Sequence, residues 1–223
     1  MNPSNEQPLS LLSKYSLQFQ DNKFITSLAI AFLLLLASLT ANFFAGTYAT
    51  EHASSSVSDI ILSNIPVINV DEAFVYGPII FWAIVSIYCL LDPRKIPFWL
   101  KTVALFAVTR ALFVSLTHIG PFPDRINLDS FNYFSDINFF IFNSGADLFF
   151  SGHTGLPFLN ALIFWKNKPL RIFCLVSSIF FGIIVLLGHL HYTIDVLAAF
   201  FITYTIYHMA RKFFAEDYAK GFL

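Results

Sequence analysis

The residues in this chain that can do chemistry are imidazoles, carboxylates and one guanidinium set in otherwise apolar runs. His191 and Asp195 stand four positions apart. On a helix that spacing puts both side chains on one face, about 6 Å apart. The carboxylate can accept a proton from one ring nitrogen, which fixes the tautomer and leaves the other nitrogen as nucleophile or base. Taken alone, the pair also reads as a polar contact inside a helix bundle. A second run is Ser151-Gly152-His153-Thr154. Ser151 is a good N-cap, and Gly152 allows close backbone approach. The helix start then presents free N–H groups and a positive dipole end, which suits a phosphate. His153 sits one residue inside that anion site, where it can protonate a leaving oxygen. Alone, this run reads equally as a simple cap with an interfacial histidine. Two His and one Asp meeting at one face, beside an anion-binding helix start, are much harder to explain as packing.

The elements that must hold these groups follow from composition. The chain has 223 residues, 57% of them hydrophobic and only 12% charged, with 28 Phe. A soluble globular chain carries about 25% charged residues. Mean hydropathy is +0.67. These values exclude a soluble enzyme, a disordered chain and a secreted disulfide scaffold, and leave an integral membrane protein. Net charge is −1, so no basic surplus points to a nucleic-acid partner. Cys89 and Cys174 lie in apolar runs and read as packed core thiols.

A helix of about 20 apolar residues crosses a bilayer core. Six stretches qualify as candidates: 25–46, 74–91, 98–117, 149–165, 172–188 and 191–210. The runs are continuous rather than alternating, which argues against a β-barrel. The expectation is an all-α, six-span membrane domain over 25–210, between a cytoplasmic segment 1–24 and a cytoplasmic tail 211–223. The first span is longer than the apolar core of a signal peptide and follows a polar lead, so it reads as uncleaved.

Orientation follows from the cations. With six spans both termini share a side, and eleven of the thirteen Lys and Arg fall there, in the termini, in the short loops at 92–97 and 166–171, and at Lys101 near the start of the third span. The exceptions are Arg125, in a loop, and Arg110, inside the third span. The segment 48–73 has no Lys or Arg. Termini are therefore expected in the cytoplasm, and the loops 47–73 and 118–148 outside or in a lumen. Intramembrane ionisable groups are functional candidates by default. Arg110, His153, His191 and Asp195 all fall towards the outer face under an orientation assigned from Lys and Arg. Asp147, six residues before His153, is a candidate to support it or an acceptor hydroxyl; its plainer reading is a loop acid favoured by a helix dipole. The plainer reading of Arg110 is a bundle-internal cation paired with an acid such as Asp147. The aromatic-rich stretch 131–142 reads first as an interfacial belt, and as a conceivable cage for a quaternary ammonium group.

Phe150-Ser151-Gly152-His153-Thr154 and His191-Tyr192-Thr193-Ile194-Asp195-Val196 resemble the two signature motifs of the sphingomyelin synthase family, a branch of the type 2 phosphatidic acid phosphatase (PAP2) superfamily. Gly145-Ala146-Asp147-Leu148-Phe149-Phe150 resembles the stretch leading into the first motif, and Arg110 and Gly120-Pro121 are weaker matches. The resemblance implies a six-helix enzyme with a His-His-Asp triad facing away from the cytosol. His191 would attack phosphorus and carry the phospho-group, Asp195 would orient it, and His153 would serve as acid and then base. Arg110, Asp147, Ser151 and Gly152 would bind substrate phosphate. It implies no metal and no organic cofactor. The wider superfamily has Lys-x6-Arg-Pro and an Arg six residues before the second His; that position here is Val185, and no Lys-Arg-Pro match occurs. A phosphodiester carries one charge fewer than a phosphomonoester and needs fewer cations.

The expected function is a phosphotransferase moving a phospho-headgroup from a glycerophospholipid donor to a ceramide-type lipid alcohol, releasing diacylglycerol. The alternatives are hydrolysis of a phospholipid or lipid phosphate with water as acceptor, and a non-catalytic lipid-binding or transport protein.

Overall fold

The protein, as a computed structural model, is described over residues 10–126 and 148–223, and all regular structure among these residues is helical. The order is α1 (Leu11–Phe19), α2 (Asn22–Glu51), α3 (Asp71–Leu90), α4 (Ile96–Leu116), α5 (Gly152–Ile163), α6 (Lys168–Leu187), α7 (Thr193–Phe213) and α8 (Ala215–Phe222). Short 3₁₀ turns occupy Leu62–Asn64 and Pro93–Lys95.

Among the described residues, five helices are long and apolar enough to cross a membrane: α2, α3, α4 with its preceding turn, α6 and α7. The stretch expected as a fourth span is a 12-residue helix, α5. That is about 18 Å at 1.5 Å per residue, short of a bilayer core. The caps explain the length. Ser151 accepts from the Thr154 N–H and starts α5, while Asn167 accepts from the Leu170 N–H and starts α6. Phe149 and Phe150 precede the helix instead of extending it. Phe150 is fully buried, edge-on to Phe106 and Phe113.

Helix contacts rely on small residues, as lipid-embedded packing favours. Beyond Phe24, the buried residues of α2 are Ala31, Ser38, Ala45, Gly46 and Ala49, and the outer part of this stripe meets Ala111 and Val114 of α4. Gly155 lets α5 into the bundle: a Cβ there would come within 2.8 Å of the Phe106 ring and 2.9 Å of Thr203 Oγ1. The free thiols of Cys89 and Cys174 are both buried in the main core.

The two ends of the bundle differ. At one end Lys101 donates to Asp217 and Ser27, Lys220 to Asp21, and Lys166 to the Phe222 carbonyl. These bonds clasp α8 back onto the helices. The other end gathers the C-terminal ends of α2, α4 and α6, the start of α3, and the starts of α5 and α7.

Candidate functional site

Asp195 lies at that second end. It is fully buried, and its Oδ2 accepts from the Tyr192 N–H at 2.9 Å. Asp195 is the third residue of α7, so this bond caps the helix start. His191 precedes the cap and is not on the helix, contrary to the expected i,i+4 pair on one helical face. The turn at Tyr192 nonetheless folds the ring back, leaving His191 Nδ1 3.5 Å from Asp195 Oδ2. His191 is 7% exposed; its Nδ1 is sealed from solvent without a hydrogen bond, whereas Nε2 is not sealed. The carboxylate thus faces one ring nitrogen and leaves the other open.

The two motifs meet through backbone. The Ser151 N–H donates to the Asp195 carbonyl at 3.2 Å. The start of α5 is thereby joined to the start of α7. Arg110 reaches the same place from α4. Its Nε donates to the Phe150 carbonyl at 2.9 Å and its Nη1 to Asn42 Oδ1 of α2 at 3.4 Å. A Cβ on Gly152 would lie 3.5 Å from Arg110 Nε, an ordinary contact. Gly152 is therefore not forced by sterics.

His153 is held by α3. Its ring stacks on Phe74 with centroids 4.1 Å apart, and Nε2 lies 3.4 Å from the Phe74 carbonyl. That carbonyl lacks the usual i+4 N–H donor, because the residue four positions on is Pro78, inside α3. The proline thus supplies the acceptor that orients His153. With Nε2 as the donor to that carbonyl, a proton exchanged with substrate would sit on Nδ1. His153 also lies within electrostatic reach of His191 and Arg110.

Asp147 and the aromatic stretch 131–142 lie outside the described residues. His189 caps the end of α6 with a left-handed backbone, φ 53°. Its N–H bonds the Leu186 carbonyl and the next N–H bonds that of Val185. Its ring lies edge-on to Phe122.

Sequence reading missed the parts that brace the second motif. Asp59 lies in the 53–70 loop and is nearly buried. Its Oδ2 accepts from the Thr193 N–H at 2.7 Å, and its Oδ1 from the Thr193 hydroxyl and the N–H groups of Ile61 and Leu62. Burial works against the charge of Asp59, but these donors outweigh it and hold the carboxyl below its usual range. Tyr192 adds a second brace: its hydroxyl donates to the Gly120 carbonyl and accepts from the Val57 N–H. Nothing in spacing links Asp59 to the second motif, since Thr193 is 134 residues away. Pro78 carried a signal, a proline within an apolar span.

Residues 145–212 match the family model described as PAP2 superfamily C-terminal. The matched stretch holds Ser151, Gly152, His153, His191 and Asp195, and it supports the PAP2 superfamily, whose activities are of the lipid phosphatase and phosphotransferase type. It covers under a third of the chain. No curated protein and no solved structure matches the chain.

Proposed function

We propose that this protein is a membrane phosphotransferase that moves a phospho-headgroup from a glycerophospholipid to a lipid alcohol of the ceramide type, through a phosphohistidine on His191. The observation that carries this reading is the pose of His191: Nδ1 against a buried carboxylate, Nε2 open, on a segment bonded to the cap of α5.

In the first step His191 Nε2 attacks phosphorus, and the bond from phosphorus to the diacylglycerol oxygen breaks. Asp195 takes up the positive charge that develops on the imidazole by accepting at Nδ1. His153, protonated, gives its proton to the departing alkoxide. In the second step the acceptor hydroxyl attacks phosphorus, His153 takes the hydroxyl proton, and the P–N bond breaks to restore His191. Acid–base help of this kind contributes about 10²- to 10⁴-fold. The phosphate oxygens would face Arg110 and the Gly152 end of α5, where backbone donors and a dipole end stabilise negative charge. Asp147 would support His153 or the acceptor.

The orientation is part of the same proposal. The end holding Lys101, Lys166 and Lys220 would be cytoplasmic and the His191 end would face the exterior, periplasm or lumen. In that arrangement α5, buried against α6 and α7, serves as the sixth crossing despite its length.

The test is product analysis by lipid mass spectrometry. Purified protein in nanodiscs is incubated with phosphatidylcholine and phosphatidylethanolamine, with and without ceramide, beside His191→Ala. The expected result is a new ceramide phospho-headgroup lipid plus diacylglycerol, absent in the variant. Diacylglycerol formed regardless of ceramide would make the enzyme a hydrolase using water. No His191-dependent product would overturn the reading.

A further inference from the structure

The interior face of α3 runs through Asp71, Phe74, Val75 and Pro78, all buried and spaced three or four apart. A stripe with that spacing lies on one side of a helix. Its second member, Phe74, stacks on His153 and binds it through its carbonyl. Its outermost member is a carboxylate. Asp71 is 7% exposed, and its Oδ1 is sealed from solvent without a hydrogen bond. The residue before it, Val70, packs at Gly188, where a Cβ would come within 2.8 Å of it, three positions before His191. Both neighbours of Asp71 therefore touch the segments that carry the two histidines. A sealed carboxylate oxygen with nothing to accept from is costly, and such an atom in a folded protein calls for a partner.

We infer that Asp71 receives the positively charged ammonium group of the substrate headgroup. The natural partner of such an oxygen is a cation or a hydrogen-bond donor, and an ammonium group is both. Asp71 lies three residues before Phe74, about 4.5 Å further along the helix axis. A two-carbon link between a phosphate oxygen and a nitrogen spans a comparable length. With phosphorus beside His153, the nitrogen of an aminoethyl phosphodiester falls at the level of Asp71. The same carboxylate repels additional negative charge, so it disfavours headgroups that carry hydroxyls alone or a second phosphate charge. Specificity is then set on α3, which contributes neither of the two motifs.

This inference rests on the reading of His153 and His191 as the phosphoryl-transfer pair, and its test is a binding measurement that needs no turnover. Two soluble diesters serve as probes: glycerophosphoethanolamine, which carries the ammonium, and glycerophosphoglycerol, which does not. Both are titrated calorimetrically into the full-length protein in detergent, as His191→Ala to prevent reaction, with and without Asp71→Asn. The parent should bind the ammonium probe about 10- to 100-fold more tightly, the worth of one charge-assisted hydrogen bond. Asp71→Asn should bring that ratio close to one. The melting temperature should not fall, because Oδ1 has no hydrogen bond to lose and the substitution keeps the shape. Equal affinities in the parent, or a ratio unchanged by Asp71→Asn, would overturn the inference. Should the ratio collapse as expected while the lipid assay finds no His191-dependent product, the transferase reading fails and the ammonium site stands.

Discussion

Asp59 and Thr193 are 134 residues apart and joined by two hydrogen bonds, from the Thr193 N–H at 2.7 Å and from its hydroxyl at 2.9 Å. The loop after α2 thereby caps the first residue of α7, two positions from both His191 and Asp195. Asp59→Ala should leave that N–H and those of Ile61 and Leu62 without acceptors, at about 2–4 kcal/mol in total. Because the loss falls on the segment that aims His191, turnover should drop with it, mainly in kcat. Asp59→Asn retains acceptor capacity and should recover part of both. The check is thermal unfolding alongside product formation for the two variants; a stable, fully active Asp59→Ala would remove the brace from the account.

The same carboxylate sets an acid limit. Its folded pKa lies below the ordinary value, so its contribution is complete above the unfolded carboxylate pKa of about 3.9 and fades as pH falls through the lower, folded value. Unfolding temperature measured from pH 7 down to pH 3 should fall less steeply in Asp59→Asn than in the parent below pH 4. Parallel curves would mean that other carboxylates dominate.

Pro78 should matter to a histidine it does not touch. Pro78→Ala gives α3 back the N–H that bonds the Phe74 carbonyl, which then competes with His153 Nε2 for that oxygen. The helix itself gains, since proline in a helix interior costs about 3 kcal/mol. The expected variant is as stable as the parent or more so, yet slower, with the pH profile of turnover shifted. Activity and profile both unchanged would show that the stacking on Phe74 alone holds the ring.

Much of this was legible in the chain. Ser151 caps α5 as its residue type suggests, because capping is a local rule. Even so, the local geometry came out differently. Tyr192 takes the cap position, so His191 meets Asp195 across a turn and not along a helix. The short α5 was hidden because Phe149 and Phe150 look like span residues, although they pack against Phe106 and Phe113 outside the helix. Asp59, Asp71 and Asn42 could not be seen at all. Each acts through tertiary neighbours, and hydropathy treats each as a polar residue in or beside an apolar run. Lys101 was assigned to an aqueous face by its charge, whereas it is buried against Asp217.

That buried pair, 2.6 Å between Lys101 Nζ and Asp217 Oδ2, separates stability from chemistry. It ties α8 to α4 at the end of the bundle opposite His191, and Ser27 of α2 bridges both partners. Lys101→Met leaves the partly buried Asp217 without its cation and should cost about 1–3 kcal/mol. Lys101→Met with Asp217→Leu removes both charges, and should regain most of that loss because paired burial yields little net stability against apolar packing. The rate per folded molecule should stay at the parent level in the double variant, since no site residue contacts either position. Unfolding midpoints for the two single variants and the double variant, with turnover normalised to folded protein, give the coupling directly. If the double variant is no more stable than Lys101→Met, α8 depends on that ion pair for more than charge balance. If its normalised turnover falls, the two ends of the bundle are coupled, and the helices between them transmit the change.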